Sequence, residues 1–297
     1  DAFGNVQHYF EVHKAHSELR IHSSALVECQ RAPDVAALVQ PWESAKPSGA
    51  AGTTELPAWE FIYPTALVPL RQEYTDYARA IFTPERPLGE ALLAFNHQLH
   101  TDFQYVPGAT AVDTPLAQVW ENRAGVCQDF AHLAIAALRG IGLAAAYVSG
   151  YLLTYPREGE SKRIGADASH AWFAVWTPEH GWIHFDPTND TVVGDEHIVV
   201  AIGRDYSDSP PVKGVCFSGG LHQLSVAVTV NELAIDETTS GGTTLGGSNR
   251  QHSVAGAVDN PGINNPGINN TGPDNTSVAD TIIADASSIK RDNTDGD

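Results

Sequence analysis

Cys127, His170 and Asp186 are the residue types, in separate segments, from which a thiol nucleophile, a general base and a ring-orienting carboxylate are built. Cys127 follows Gly125-Val126 and opens the apolar stretch CQDFAHLAIAALRG. A helix that starts here puts the thiol at its N-terminus. The free N–H groups and partial positive charge there favour thiolate over thiol and could hold an oxyanion. His170 opens the strand-like segment HAWFAVW and Asp186 closes GWIHFDP. If Trp176 pairs with Trp182 across the intervening Thr177-Pro178-Glu179-His180, Asp186 faces Trp172 and lies diagonal to His170 on one sheet face. Diagonal neighbours are ~7–8 Å apart at the backbone, within reach of an Asp–His hydrogen bond. Taken singly, each residue has a plainer reading: a small core cysteine, a surface histidine, a turn-starting aspartate in Asp-Pro-Thr. Their joint placement favours the triad.

The backbone N–H of Cys127 is one oxyanion donor, and Gln128 and Tyr105 are side-chain candidates. Gln128 could equally cap the helix, and Tyr105 could be a packed aromatic. Asp129 and His132, on the same helix, are expected to be structural polar groups. Trp172, Trp176 and Trp182 read as packing residues, with Trp172 also able to wall a cleft.

The elements that must carry these residues fall in two runs. Helical spacing covers 70–82 and 88–99, where Leu88, Leu92, Phe95 and Leu99 share a face. Thr114-Pro115 supplies an N-cap and a first-turn proline for a short helix to about Asn122, which Arg123-Ala124-Gly125 ends. The helix from about Val126 to Arg139 is apolar on several sides and therefore expected in the core. Strand patterns follow at 144–153, 170–176, 181–187, 197–203 and 221–233. Helices first and antiparallel strands second define an α+β class.

Two further strands are expected within 6–29, and the proline-rich segment 30–58 reads as a linker. From 236 the chain is rich in Gly, Asn, Thr, Ser and Asp and repeats Asn-Pro-Gly-Ile-Asn at 260–264 and 265–269. That composition predicts disorder. The expected division is therefore 1–62 as the end of a β-rich domain plus linker, 63–235 as a catalytic domain and 236–297 as a low-complexity tail.

GVCQDFAHL at 125–133, YVSGYL at 147–152, ASHAWFAVW at 168–176 and GWIHFDPTND at 181–190 resemble the transglutaminase-like superfamily. The resemblance is closest to its bacterial branch of cysteine proteases, which carries an N-terminal β-domain. DAFGNVQHYFEV and HSELRIHSSALVE resemble the end of that domain, truncated here, and HIVVAIGRDYSDSPPVKGV resembles the segment that closes the catalytic core. The resemblance spans about 1–233. It implies a papain-like core with helices packed on an antiparallel sheet. It assigns Cys127 as nucleophile, His170 as base and acid and Asp186 as orienting carboxylate. It implies attack on a peptide bond or a glutamine side-chain amide through a thioester acyl-enzyme.

Bulk composition narrows the partners. The chain of 297 residues has 17 Lys+Arg against 36 Asp+Glu, a formal charge of −19. That field repels phosphate backbones and anionic lipid, so no nucleic acid or membrane partner is expected. No run approaches the ~18 apolar residues of a membrane span. Three scattered cysteines, Cys29, Cys127 and Cys216, offer no metal-ligand spacing and fit a reducing cytosol. A Cys29–Cys216 disulfide is sterically open from sequence but has no positive support. No cofactor and no metal are expected. The expected partner is a peptide or protein substrate, and hydrolysis is favoured over cross-linking because no second, amine-accepting site is marked. The alternative is a peptide-binding scaffold that keeps the fold without turnover.

Overall fold

The computed structural model describes residues 1–14, 16, 18–47, 56–155, 169–215, 217, 225–233, 250–260, 268–270 and 279–285. The chain divides into two compact units. One contains 1–29, 151–169 and 210–297, and the other contains 30–150 and 170–209.

In chain order the elements are β1 (Asn5–Gln7), β2 (Leu19–Cys29), α1 (Leu56–Trp59), α2 (Gln72–Ile81), α3 (Leu88–Asp102), β3 (Gln104–Tyr105), α4 (Leu116–Asn122), β4 (Ala124–Gly125), α5 (Cys127–Gly140), β5 (Ala145–Leu152), β6 (Ser169–Thr177), β7 (Gly181–Asp186), β8 (Thr191–Val192), β9 (His197–Gly203), β10 (Ser225–Leu233), β11 (Arg250–Asn260), β12 (Ile268–Asn270) and β13 (Ala279–Asp285). A mixed helical and antiparallel-sheet architecture is what the order of sequence patterns predicts.

The second unit is built on α5. Every residue from Asp129 to Arg139 is buried, as its all-round apolar sequence requires. The face of α3 formed by Leu88, Leu92, Phe95 and Leu99 is buried in the same core. At the far end of α5, the Arg139 guanidinium donates to the carbonyls of Tyr63, Ala145 and Arg204 at 2.7–3.1 Å. These charge-assisted bonds tie the end of the helix to the start of β5 and the end of β9. The unit's sheet has the order β8-β7-β6-β5-β9, with β6/β7 and β7/β8 antiparallel. The expected β6/β7 register is the observed one: Trp176 pairs with Trp182 and Phe173 with Phe185, whose rings stack at 5.5 Å.

Three local expectations change. Residues 30–47, read as linker, pack into the core of the second unit through Val35, Leu38, Trp42 and Ala45. The apolar residues among the prolines decide this, because each turn of the segment can bury one. Thr114 does not cap α4. Its hydroxyl accepts the Ala111 N–H at 2.8 Å, and Pro115 occupies the cap position. The segment 225–233 is a strand, as its alternation predicts, but it belongs to the sheet of the first unit and not to the sheet that carries the site.

The first unit's main sheet has the order β10-β11-β2-β13, all antiparallel. Within the segment expected to stay unfolded from 236, residues 250–260, 268–270 and 279–285 are strands; the rest of that segment lies outside the described residues. Cys216 lies outside them too, so a pairing with Cys29 is not described. Among the described residues, no helix is long and apolar enough to cross a membrane.

Candidate active site

Cys127 is the first residue of α5 and is partly buried. The start of the helix is fixed by Asp129, whose carboxylate accepts the Val126 N–H at 2.8 Å and the Thr110 hydroxyl. Burial pushes the Asp129 carboxyl up, and these two bonds hold it back. Gly125 is needed beside it, because a Cβ there would fall 2.7 Å from Asp129 Oδ2. Asp129 is thus a structural group, as expected. So is His132, whose Nε2 accepts the Tyr206 N–H at 3.1 Å. Burial drives His132 down to about 4, so it is neutral and free to accept.

His170 Nε2 lies 2.7 Å from Asp186 Oδ2. The other ring nitrogen of His170 is not used by Asp186, and Cys127 is near enough to His170 to help raise its pKa. The structure therefore brings together the three residues singled out from sequence, in the order thiol, imidazole, carboxylate. Burial disfavours the charged ring of His170, but the bonds to Asp186 and Cys127 outweigh it and carry its pKa up to about 10. Asp186 is fully buried. Burial opposes its ionisation, but hydrogen bonds from His170, His197 and Asn189 hold it well below the usual carboxylate range.

Two partners of Asp186 were not singled out from sequence. His197, which opens β9 and is buried, brings Nε2 to 3.1 Å from the same Oδ2. Asn189 donates its side-chain amide to Oδ2 at 2.6 Å, and the backbone N–H groups of Thr188 and Asn189 go to Oδ1 at 2.9 and 3.3 Å. The loop carrying them is gripped by α3: Asn96 donates to the Asp186 carbonyl, and His100 Nδ1 meets the Pro187 and Thr188 carbonyls. The sequence signal available for Asn189 is the Asp-Pro-Thr-Asn turn, whose aspartate bonds the backbone two and three residues on.

Trp172 packs behind the triad. It is fully buried, donates Nε1–H to His184 Nδ1 at 3.1 Å, and sets its ring edge-on to His197 at 5.3 Å. Burial and then the neighbouring His197 bring His184 down to about 4, which suits an acceptor role. Trp172 is thus a packing residue rather than an exposed wall.

The two oxyanion candidates part company. The Gln128 side-chain amide donates to the Val112 carbonyl at 3.1 Å and is already engaged. Tyr105 is half exposed on β3, which runs parallel to β4 with Tyr105 beside Gly125. Burial first, then the charge of Cys127, raises the Tyr105 hydroxyl, which places that hydroxyl within electrostatic reach of Cys127.

His170, Asp186 and His197 are also a group that could hold a metal ion, their ligand atoms all lying within 4.8 Å of one another. In this arrangement those atoms are committed to each other, since one carboxylate oxygen meets both ring nitrogens.

A profile of the transglutaminase-like superfamily matches residues 75–187, the stretch that holds all three triad residues. The chain belongs to the transglutaminase-like superfamily. An uncharacterised protein of Mycobacterium tuberculosis is 42% identical over 239 residues, covering 77% of this chain and 75% of its own. A protein-glutamine gamma-glutamyltransferase of Pseudomonas aeruginosa is 33% identical over 130 residues, 40% of this chain and 18% of that protein. Among solved structures, a candidate cysteine protease from Cytophaga hutchinsonii aligns with a TM-score of 0.47 and 17% identity, over 68% of this chain and 86% of that one. The transglutaminase-like core here runs from α2 to β7.

Proposed function

We propose that this protein is a cysteine-dependent acyl-transfer enzyme that opens amide bonds of peptide or protein substrates through a thioester. The observation that carries this reading is the His170–Asp186 hydrogen bond, with the carboxylate fully buried, next to a cysteine at the start of α5 that helps to raise the His170 pKa. His170 carries the single proton of the Cys127–His170 pair, and the sulfur attacks the amide carbonyl as a thiolate. The tetrahedral oxyanion is met by the Cys127 backbone N–H, one of the first N–H groups of α5 with no partner in a preceding turn. The Tyr105 hydroxyl is the side-chain candidate for a second donor. The His170 imidazolium then protonates the departing amine, leaving the acyl group on sulfur. Water, deprotonated by His170, attacks the thioester and releases the carboxylic acid and the free thiol.

Hydrolysis is the preferred outcome, since water needs no site of its own. Cross-linking is the second reading, favoured by the partial match to a glutamine gamma-glutamyltransferase. Both share the acyl-enzyme and differ only in the acceptor.

The test is alkylation of the full chain with iodoacetamide at pH 6–7, followed by mapping of the adduct and a peptide screen read for ammonia release and peptide cleavage. The expected result is preferential labelling of Cys127 that is lost in His170→Ala. Slow, equal labelling of Cys29, Cys127 and Cys216 would sink the catalytic reading and leave the peptide-binding scaffold.

A further inference from the structure

A cavity of about 390 Å³ opens between the end of α3, β3 and the end of α4. Its wall runs from Arg123 past Phe103 and Phe130 to Tyr105 and Thr188. Tyr105 pairs with Gly125, two residues before Cys127, and the Thr188 N–H binds Asp186. The cavity therefore shares Tyr105 and Thr188 with the surroundings of Cys127 and Asp186.

Arg123 stands out in this wall. Arg20, Arg71, Arg79, Arg86 and Arg204 each meet a carboxylate. Arg139 is spent on backbone carbonyls. Arg123 has neither kind of partner among the described residues. Its guanidinium instead lies over the Trp120 ring at 3.8 Å and the Phe103 ring at 4.8 Å. Stacking of this kind fixes the planar fork and leaves its N–H donors for a ligand. The backbone adds a second observation. Arg123 ends α4 in the left-handed region, with φ 51° and ψ 34°. That position is filled at least cost by glycine, so the arginine stands there against the local preference.

We infer that Arg123 anchors a substrate subsite in which a peptide substituent bearing one carboxylate lies in this cavity, while the scissile amide lies at Cys127. The inference rests on the amide-opening reading of Cys127 and adds a substrate class to it. A protein of formal charge −19 repels carboxylates at long range, so a fixed local cation is what an acidic substrate needs. The aromatic floor contributed by Phe103 and Phe130 covers the aliphatic stem of the same substituent. Asp102 lines the cavity too, its Oδ2 held by the Tyr77 hydroxyl at 3.0 Å. Its negative charge in the same lining disfavours polyanions.

The experiment is a protection assay on the full chain. Blocked tetrapeptides carrying one glutamate are compared with twins carrying methionine, which is similar in length and uncharged. The rate of iodoacetamide addition to Cys127 is followed by mass spectrometry as each peptide is added. In the wild type, glutamate peptides are expected to protect at roughly tenfold lower concentration than their twins, as a charge-assisted bidentate contact implies. That ratio is expected to fall towards one in Arg123→Gly, which suits the left-handed backbone, and in Arg123→Met, which keeps an apolar stem on the rings. The ratio is read within each variant, so a general change in reactivity cancels. Equal protection by both peptide series, protection by none, or a ratio that survives in both variants overturns the subsite. Failure of the catalytic reading shows separately, without peptide, as Cys127 labelling no faster than the other cysteines.

Discussion

His197 and His170 share one carboxylate oxygen: Asp186 Oδ2 lies 3.1 Å from the first ring and 2.7 Å from the second. The same oxygen also accepts the Asn189 amide, and the other oxygen two backbone N–H groups, so the carboxylate is aimed at His170 in one direction. His197 acts on the nucleophile through Asp186 and is a positioning residue. Replacing it by phenylalanine removes one charge-assisted donor from the oxygen that meets His170 and leaves the Asn189 and backbone contacts. Such a bond contributes about 1.5–3 kcal/mol, so amide turnover is expected to fall by roughly tenfold or more. His197→Gln keeps a donor and is expected to recover most of the loss. Equal turnover and an unchanged pH profile in His197→Phe would show that the contact only packs the core.

The pH response follows from the same group of residues. His170 is raised from 6.5 to about 10, so its bound proton stabilises the fold fully below 6.5, and this contribution is lost as pH rises through 10. Asp186 is shifted the other way. Its contribution is present above 3.8 and is lost as pH falls below that value. Stability from this cluster is therefore expected to be greatest between pH 4 and 6.5, read by urea unfolding at a series of pH values. Turnover needs the imidazolium to protonate the leaving amine, so its alkaline limb is expected near pH 10. Asp186→Asn removes the charge that holds the proton on His170 and is expected to move that limb to lower pH. A limb that stays in place would separate it from His170.

These relationships were unequally legible in the sequence. The β6/β7 hairpin announces itself through Gly181, Pro178 and flanking aromatics, and its register then brings His170 and Asp186 together. The start of α5 is equally plain, because Gly125 precedes an unbroken apolar run. His197 opens HIVVAIG, which reads as an ordinary strand; its partner lies on β7, and the order β8-β7-β6-β5-β9 separates β9 from β7 by two strands. Nothing in local spacing states that order. The placement of 225–233 fails for the same reason: alternation predicts a strand but not the sheet it joins. Arg123 was read as part of a helix-ending tripeptide, and its stacking on Phe103 and Trp120 depends on contacts across the fold.

Gly150 tests the packing behind the triad. A Cβ at this position would fall 2.3 Å from the Ile198 carbonyl oxygen and 2.3 Å from the Trp172 ring. The carbonyl belongs to β9, next to His197, and the ring is fully buried, so neither neighbour can move away freely. Gly150→Ala is expected to cost about 1–3 kcal/mol in urea unfolding, the range for overpacking a core. It is also expected to slow Cys127 alkylation, because Trp172 touches both His170 and His197. A variant of unchanged stability and reactivity would mean that Trp172 does not set the position of either ring.

Gln128 separates a helix-start amide that is structural from one that is chemical. Its Nε2 is hydrogen-bonded to the Val112 carbonyl at 3.1 Å, which anchors the 106–115 segment to the start of α5. An amide engaged in this way cannot also meet a developing oxyanion without breaking that bond. Gln128→Ala is therefore expected to change kcat by less than about threefold, whereas removal of a true oxyanion donor costs roughly 10²–10³. Tyr105→Phe is the paired measurement, because its hydroxyl is half exposed and within electrostatic reach of Cys127. A larger loss of kcat in Tyr105→Phe than in Gln128→Ala is the expected order. The reverse order would move the oxyanion to the Gln128 side of Cys127 and require the Val112 contact to open during turnover.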